Sequence, residues 1–387
     1  MKYVSASSSG APAVASFGAF FVNVFGALRR DYFFLALAGL CVWLTVLAPS
    51  RIADYPKLVG WPTIASLAGL LILTKGVEAS GALALLGRHL IVAMKTERAL
   101  ALLLVSASAM LATLLTNDVA LFVTVPLTLG LRGAGAIPVY RLIVFEALAV
   151  NAGSALTPIG NPQNLFLWGW SGVPFHSFIA ALFPLVAIAS VALVALTLVA
   201  FPKRAIAPIA DAATPVERKL LWVSLSLYAP FLILTNFHQA ELAFAFVLVV
   251  FALTQRRVLA GVDWGLLLVF ILMFIDLRLV AQHDLVRSLA ARLGPGDPQH
   301  LYWMGVLVSQ VISNVPGAIL LAEYSKDWRI IAYGVNVGGF GLMIASLANL
   351  IALRMTGDER SWLVFHAYSI PFLALVSAAT WAWLFLF

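Results

Sequence analysis

Four short polar segments interrupt the most apolar stretches of this chain of 387 residues, two in each half. The first half contains Thr116-Asn117-Asp118 and the segment 151–164, and the second half contains Ser313-Asn314 and the segment 336–349. Amides, hydroxyls, glycines and prolines at bilayer depth break helices, and broken backbone is tolerated there only around a cavity lined by protein or water. The pattern therefore predicts a membrane protein built around a polar centre, as in proteins that carry solutes across a bilayer.

The composition agrees with a membrane location. The chain is 62% hydrophobic and 11% charged, whereas roughly a quarter of the residues of a soluble protein are charged. Apolar runs follow one another from Phe33 almost to Phe387, which predicts an all-α polytopic membrane protein with the lipid bilayer as its surroundings. The net charge of +7 is typical of basic anchors in cytoplasmic loops, so we expect no nucleic-acid partner.

The chain divides into four predicted parts. Residues 1–32 form an N-terminal tail with an interfacial helix, 33–201 a first repeat, 202–219 a cytoplasmic linker and 220–387 a second repeat. Three pairs of motifs recur in the same order in the two repeats, with offsets that shrink along the chain. The pairs are Val59-Gly-Trp61 and Val262-Asp-Trp264 (203 residues apart), Thr116-Asn117 and Ser313-Asn314 (197 apart), and Asn151 with Asn164 against Asn336 with Asn349 (185 apart).

The number of spans before each polar turn predicts inverted repeats. Two apolar spans precede the turn at residue 116 and three precede the turn at residue 313, so the two turns enter the membrane from opposite sides. We interpret each turn as the tip of a re-entrant helical hairpin and each following segment as an interrupted transmembrane helix, with about nine full spans in all. Two full spans in place of each hairpin remain an alternative. Most Lys and Arg of the loops then lie on the side of the N-terminus, which predicts a cytoplasmic N-terminus in a bacterial inner membrane.

The broken segments offer two kinds of ligand. The N-termini of half-helices present free N–H groups to an anion, and unwound carbonyls with Asn, Ser and Thr oxygens suit a hard cation such as Na⁺. We therefore expect a small anionic substrate and Na⁺ or H⁺ as coupling ion, with no cofactor and no other metal. The candidate binding residues are Thr116, Asn117, Asp118, Asn151, Thr157, Asn161, Asn164, Ser313, Asn314, Asn336, Ser346 and Asn349.

Charged residues inside the apolar segments are functional candidates, because a charge at bilayer depth is costly. Asp118 is predicted to ligate Na⁺ or carry a proton, with a helix N-cap as the alternative. Glu146 is predicted to gate, to relay protons or to pair with Arg141. Four further residues are interpreted as buried ion pairs that join helices: Lys75, Glu78, Asp276 and Arg278.

These motifs resemble the ion transporter superfamily. The resemblance rests on residues 116–121 with 160–165 and on residues 313–316 with 349–350, and it covers about residues 30–385. The group includes citrate-transporter-like permeases, arsenite permeases and divalent anion:sodium symporters, and the likeness is greatest to small bacterial anion permeases of unknown substrate. It implies a scaffold and a transport domain in each protomer, a homodimer and an elevator movement.

The same resemblance implies the roles of the two tips. The symporters have a Ser-Asn-Thr triplet at each tip, which binds Na⁺ and the carboxylates of the substrate. In this chain Asp118 and Val315 stand where the triplet ends in Thr. The departure weakens the expectation of a dicarboxylate and favours protons or a substrate of different charge.

The sequence predicts a secondary active transporter that moves a small inorganic or organic anion, coupled to H⁺ or Na⁺, with its site between the tips. Arsenite-type oxyanion efflux and Na⁺/H⁺ antiport are the alternatives. Asn161-Pro162-Gln163 resembles the boxes of aquaporin-like channels, but the second half has no proline at the matching place. An enzyme is disfavoured, because the chain contains neither Gly-x-Ser-x-Gly nor His-Glu-x-x-His.

Overall fold

The computed structural model describes residues 32–132, 137–206, 215–358 and 360–387. The predicted interfacial helix before residue 32 and part of the predicted linker lie outside these ranges. The helices of the first half are α1 (Tyr32–Leu47), α2 (Tyr55–Leu58), α3 (Trp61–Ala79), α4 (Ala82–Val92), α5 (Glu97–Leu114), α6 (Asn117–Leu129), α7 (Val139–Ser154), α8 (Pro162–Ser171) and α9 (Phe175–Ala200). A 3₁₀ helix, Pro49–Asp54, joins α1 to α2.

The second half continues the helical chain after the linker. Its helices are α10 (Arg218–Asn236), α11 (Ala240–Thr254), α12 (Arg256–Ala260), α13 (Trp264–Ala281), α14 (Asp284–Leu293), α15 (Pro298–Ile312), α16 (Asn314–Ala322), α17 (Trp328–Gly338), α18 (Leu347–Thr356) and α19 (Ser361–Phe385). A short 3₁₀ helix, Met343–Ala345, precedes α18.

The structure confirms an all-α polytopic membrane protein. Within the described ranges, six helices are long and apolar enough to cross a membrane, namely α3, α5, α9, α10, α13 and α19. The number rises to seven when α1 and the segment up to Leu58, bent by 119°, count as one span. The predicted total of about nine also counts shorter apolar helices such as α11, which has 15 residues.

The repeat is visible in the order of elements, because α3 to α9 recur as α13 to α19. Local hydrogen bonds recur with it. The indole Nε1 of Trp61 donates to the Pro56 carbonyl at 2.9 Å, and that of Trp264 donates to the Leu259 carbonyl at 2.8 Å. Residues related by the repeat offsets are called equivalent below. The predicted linker begins immediately after α9, where the Glu97 amide donates to the Arg204 carbonyl at 2.9 Å.

Both polar turns form hairpins. The chain reverses between α5 and α6 around Thr116, and between α15 and α16 at Ser313, whose φ is +75°. Helix α6 has 13 residues and α16 has nine, so at 1.5 Å per residue they extend about 20 and 14 Å, well short of the ~30 Å hydrocarbon core. Each hairpin also packs against the interrupted helix that follows it, α7 or α17. These lengths favour re-entrant hairpins over pairs of full spans.

Candidate functional site

The two interrupted helices break at equivalent places. Helix α7 ends at Ser154 and α8 begins at Pro162, while α17 ends at Gly338 and α18 begins at Leu347. Asn161 caps α8, because its Oδ1 accepts a hydrogen bond from the Asn164 amide at 2.9 Å. Such a side-chain cap satisfies one of the free donors at a helix start. The breaks thus place polar side chains and free backbone groups at the centre of the fold.

Four asparagines join the two repeats at this centre with local two-fold symmetry. Asn151 Nδ2 of α7 donates to Asn349 Oδ1 of α18 at 2.8 Å. Asn336 Nδ2 of α17, the equivalent of Asn151, donates to Asn164 Oδ1 of α8 at 2.7 Å. All four are 3% exposed or less. The 185-residue offset seen in the sequence therefore corresponds to a physical exchange of partners between repeats.

The neighbouring predicted residues extend this symmetry. Ser346 Oγ donates to Asn151 Oδ1 at 2.9 Å, and its equivalent Asn161 donates through Nδ2 to Asn336 Oδ1 at 3.0 Å. The remaining amide groups donate to carbonyls of the breaks themselves, such as Asn164 Nδ2 to Ala155 O at 3.0 Å. We call these six residues the asparagine lock: Asn151, Asn161, Asn164, Asn336, Ser346 and Asn349. Its side chains bind one another, so in this state it joins the repeats and is not exposed to a ligand.

A pair of residues that the sequence analysis missed fixes the hairpins to this centre. Thr113 Oγ1 donates to the Gly153 carbonyl at 2.9 Å, and its equivalent Gln310 donates through Nε2 to the Gly338 carbonyl at 2.7 Å. Thr157, a predicted site residue, donates in turn to the Thr113 carbonyl at 2.8 Å. Thr and Gln do not look alike in a sequence, and only their spacing of 197 residues, the same as that of the tips, marks them as equivalent.

The first tip keeps oxygen atoms free of protein partners. Thr116 Oγ1 and Asp118 Oδ1 are buried, and neither has a hydrogen-bond partner among the described residues. Asn117 is held in place, because its backbone N–H donates to the Gly160 carbonyl at 2.9 Å and its side-chain Oδ1 accepts from the backbone N–H of Asp118 at 3.0 Å. Asp118 lies in the first turn of α6, where the positive end of the helix dipole favours a carboxylate.

The second tip has no such free carboxylate. Ser313 Oγ lies 3.4 Å from both Asn314 Oδ1 and the Ala345 carbonyl. Val315, the equivalent of Asp118, is 3% exposed and belongs to the hydrophobic core. The two tips are therefore alike in backbone but different in chemistry.

A cavity of about 350 Å³ lies against the first tip. Thr116 and Asp118 line it, and the other walls come from the end of α3, the start of α13 and the length of α18. We call this space the vestibule. Its charged lining residues are Lys75, Glu78, Asp118, Asp263 and Arg354. Lys75 and Glu78 form the predicted ion pair at 3.0 Å, although both stay partly exposed.

The equivalent space at the second tip is filled by side chains. Phe274, the equivalent of the vestibule residue Leu71, is fully buried and contacts the ring of Phe166 with centroids 5.5 Å apart. Arg278 is the equivalent of Lys75. Its Nε lies 3.1 Å from Glu323 Oε1, and its Nη1 donates to the Leu58 carbonyl at 2.8 Å. The site is thus open on the side of the first tip and closed on the side of the second.

Two of the predicted ion pairs do not form. Arg278 is directed towards Glu323, so it does not pair with Asp276, and Asp276 is considered separately below. Arg141 donates to the Ala200 carbonyl at 2.5 Å and lies over the Phe201 ring, so it does not pair with Glu146. The guanidinium of Arg141 binds the carbonyl at the end of α9 instead of the Glu146 carboxyl five residues further along the chain.

Glu146 is fully buried between α6 and α7. One carboxyl oxygen accepts a hydrogen bond from Thr128 Oγ1, and the other has no partner among the described residues. The residue does not line the vestibule. Its predicted relay role is therefore not supported by contact with the cavity.

The described residues contain no group of three His, Cys, Asp or Glu side chains able to hold a metal ion. Apolar helices in inverted repeats, two hairpins and two broken helices define a multi-pass membrane protein of transporter architecture.

The family follows from comparison with known proteins. The model of a family described as "Citrate transporter" matches residues 20–327, so the chain belongs to the citrate transporter family. The chain is 46% identical over 347 residues to inner membrane protein YbiR of Escherichia coli, covering 89% of this chain and 93% of that protein. It is 32% identical over 331 residues to an uncharacterized transporter of Methanocaldococcus jannaschii, covering 84% and 89%.

A more distant likeness covers about a third of the chain. The chain is 23% identical over 141 residues to a putative arsB transporter of Dictyostelium discoideum, covering 36% of this chain and 24% of that protein. The family match and these relatives confirm the resemblance found in the sequence and identify a membrane transporter.

Proposed function

We propose that the protein is a secondary active transporter that moves a small anion across the membrane, coupled to H⁺ or Na⁺. The observation that supports this most is the one-sided vestibule. It ends at Thr116 and Asp118, each of which has a buried oxygen without a hydrogen-bond partner among the described residues, while the equivalent space at the second tip is closed. In an inverted repeat, the closed side of one conformation has the same architecture as the open side of the other.

The packing of the helices supports a movement of one group against another. In a first group, α3 packs against α10 and α11, and α13 packs against α1. In a second group, the two hairpins pack against the interrupted helices and also against the continuous helices α9 and α19. The vestibule lies between α13 of the first group and α6 and α18 of the second. A displacement of the second group would carry the tip from one face towards the other, as the elevator hypothesis requires. A homodimer in which the first group forms the contact is part of this proposal.

The charges of the vestibule favour an anion that binds together with a cation. Three acids and two bases line it, so its formal charge is −1 when Asp118 is ionised. An anion entering this space is repelled unless Asp118 is neutralised. A proton on Asp118, or Na⁺ held by its carboxylate and Thr116 Oγ1, supplies that neutralisation with the oxygen ligands that hard cations prefer. Arg354 and the N-terminus of α6 then remain for the anion.

The orientation follows from the distribution of basic residues. With the N-terminus in the cytoplasm, most Lys and Arg of the loops lie on the cytoplasmic side. The vestibule would then open to the cytoplasm, and the structure would represent the inward-facing state. The name of the Escherichia coli relative, inner membrane protein YbiR, supports the same membrane for this chain.

Uptake and efflux in proteoliposomes test the proposal. The purified protein is reconstituted under an imposed Na⁺ or pH gradient and offered citrate, succinate, phosphate, sulfate and arsenite in turn. We expect at least one of these solutes to accumulate against its gradient, and the accumulation to collapse when an ionophore dissipates the driving ion. Flux of arsenite alone would assign the oxyanion alternative, and Na⁺-dependent H⁺ movement without solute would assign antiport. Absence of any gradient-driven flux from folded protein would refute coupled transport.

A further inference from the structure

Asp276 is a buried carboxyl that the vestibule does not use. It lies on α13 and is fully buried, and neither of its oxygens has a hydrogen-bond partner among the described residues. The nearest guanidinium on the same helix, that of Arg278, is engaged with Glu323 and Leu58. The equivalent position in the first repeat is Leu73, also fully buried, so the fold of this helix does not require a carboxyl. An unpaired carboxylate inside a membrane protein is costly and is a functional candidate by default.

A row of polar side chains connects Asp276 with the end of α1. The thiol of Cys41 interacts with the carboxyl of Asp276, although no hydrogen bond joins the two in this state. Thr45 follows one turn later on α1, where its Oγ1 donates to the Cys41 carbonyl at 2.6 Å and lies 2.6 Å from the hydroxyl oxygen of Tyr55. Hydroxyl and thiol groups both donate and accept hydrogen bonds, so each member of such a row can take up one proton on one side and release another on the other side.

The row ends at a second cavity of about 230 Å³. Tyr55 lines it, together with Arg51, Gln282, His283 and Asp284. This cavity lies at the C-terminal ends of α1 and α13, whereas the vestibule reaches Phe33 and Leu266 near their N-terminal ends. Helix α13 has 18 residues, about 27 Å at 1.5 Å per residue, so the two cavities open towards opposite faces of the membrane. The fully buried side chains of Phe270 and Met273 lie on α13 between Asp276 and the vestibule end.

The charged groups around α13 leave Asp276 without a counter-ion. Five elements pack against α13: α1, α2, α3, α14 and α16. On these elements the cations are engaged elsewhere, are exposed, or line the second cavity. Lys57 of α2 pairs with Asp54, and Lys75 of α3 pairs with Glu78 in the vestibule. Arg287 and Arg292 of α14 are exposed. Glu323 after α16 lies against Arg278, and Arg51, His283 and Asp284 line the second cavity. Of the groups on α1, the thiol of Cys41 interacts with the carboxyl.

We propose that Asp276 is a second proton-binding site, which exchanges protons with the face opposite the vestibule through Cys41, Thr45 and Tyr55. A proton from water in the second cavity enters at the Tyr55 hydroxyl, each group of the row passes one proton on, and the carboxylate becomes a carboxylic acid. The site itself does not depend on the proposed transport activity. Its contribution to coupling does rest on that proposed function.

Dicyclohexylcarbodiimide tests the site without a substrate, because it modifies protonated carboxyls in apolar surroundings. Membrane vesicles that hold the protein in one orientation are treated while the pH of each face is varied separately from 5 to 9, and the adducts are located by mass spectrometry. We expect an adduct on Asp276 that falls at least about fivefold when the face of the second cavity becomes alkaline. The pH of the vestibule face should change it little. No adduct on Asp276 at any pH, or an equal response to both faces, would overturn the proposal.

Three variants locate the path. Tyr55→Phe removes the hydroxyl that opens into the second cavity, so the adduct should respond to an imposed pH step several-fold more slowly. Cys41→Ser keeps a polar group in the row and should behave like the wild type, whereas Cys41→Ala should resemble Tyr55→Phe. An unchanged response in both Tyr55→Phe and Cys41→Ala would remove the proposed row, even if Asp276 reacts.

The same preparation separates this inference from the proposed function. If no solute flux is driven by a proton gradient while the adduct keeps its one-sided pH dependence, proton-coupled transport fails and the proton site stands. If flux is proton-driven and the adduct is absent, the proton site fails and the transport proposal stands.

Discussion

The two hairpin tips share a backbone but differ in what they leave free. Each follows a helix tied to the interrupted helix by an equivalent side chain, Thr113 or Gln310. At the first tip Thr116 and Asp118 line a cavity, and each has a buried oxygen without a partner among the described residues, whereas Val315 of the second tip is packed in the core. Symmetry is thus kept where the repeats hold each other together and is lost at the tips.

This difference separates two tasks that a duplicated fold must perform. The asparagine lock has to be equivalent in both repeats, because each half supplies partners to the other across a local two-fold axis. A site for a coupling ion needs only one copy, and a second carboxylate at bilayer depth would add its own desolvation cost. We infer that the symmetric residues determine stability and that the unsymmetric ones determine ion specificity.

The largest effect should come from Asp118→Asn, which makes the first tip as uncharged as the second. Under the proposed function, we expect gradient-driven flux to fall at least about 100-fold, because removing one charge of a desolvated pair commonly costs about 2–5 kcal/mol and each tenfold corresponds to about 1.4 kcal/mol. The loss is measured as the flux of Asp118→Asn relative to that of the wild type, in proteoliposomes under the same fixed gradient.

The matched control is Val315→Ala at the equivalent position of the second tip, which removes two methyl groups and no charge. It should retain most of the flux. Equal losses in the two variants would mean that the tips act alike, and the inferred division between them would be wrong.

The second effect concerns the asparagine lock. Asn151→Ala and Asn336→Ala each leave a buried partner amide unsatisfied, so each should lower the free energy of unfolding by about 1–3 kcal/mol. The two losses should be similar, because the contacts are equivalent. The shift of the thermal unfolding midpoint in detergent measures the loss of stability in each variant. Asn236→Ala is the control, since its Oδ1 accepts one hydrogen bond from the Phe175 amide in a partly buried position. A large loss in one lock variant only would contradict the symmetry.

The order of elements and the equivalence of the repeats were predictable from the sequence. Gly, Pro and Asn inside apolar runs have few physical explanations in a bilayer, and the offsets of 203, 197 and 185 residues between equivalent motifs locate the pairs. All six residues of the lock were among the candidates. The sequence could not show that they bind one another, because a side chain suited to a ligand is equally suited to another side chain.

The open and closed sides could not be predicted, because conformational state is not encoded in a local pattern. The partners of Arg141 and Arg278 were also missed. A long guanidinium reaches a carbonyl or carboxylate on another helix as easily as a residue nearby in the chain. Thr113 and Gln310 were overlooked since motif comparison finds similar residues, and these two share only a position and a hydrogen-bonding role.

A third prediction concerns the closed side, where Arg278 and Glu323 hold the space equivalent to the vestibule shut. Arg278→Ala should shift the population towards opening on that side by about fivefold, as expected for a pair worth about 1 kcal/mol. Thr63 is equivalent to the vestibule residue Leu266; Thr63 is buried, whereas Leu266 is partly exposed, so Thr63→Cys reports on the closed side. In a Cys41→Ala background, labelling of Thr63→Cys by a membrane-impermeant maleimide should accelerate about fivefold, while Leu266→Cys should label at a rate that Arg278→Ala changes little. An unchanged labelling rate of Thr63→Cys would show that Arg278 does not hold this side closed.

The smallest effect distinguishes the starts of the two hairpins. Thr96 caps α5 by accepting from the Ala99 amide at 3.2 Å, whereas Asp297 caps α15 by accepting from the amides of Gln299 and His300. These backbone hydrogen bonds, that of His300 first, lower the pKa of Asp297. Because the pKa of the folded state is the lower one, the stabilisation is complete above the ordinary value of about 3.9 and disappears as the pH falls through the lowered value.

Thermal unfolding of Asp297→Ala and Thr96→Ala in detergent between pH 3 and 7 tests this difference. The deficit of Asp297→Ala relative to the wild type should be a few degrees at most at pH 7, because the residue is exposed, and it should shrink towards zero at the acidic end. The deficit of Thr96→Ala should stay constant, since a hydroxyl cap does not titrate. Asp297→Asn keeps a capping oxygen without the charge, so its deficit at pH 7 should be smaller than that of Asp297→Ala and should also shrink towards the acidic end, as the wild type loses its charge there. A deficit of Asp297→Ala that is the same at every pH would mean that its charge contributes nothing to this cap, and the two hairpins would then begin alike.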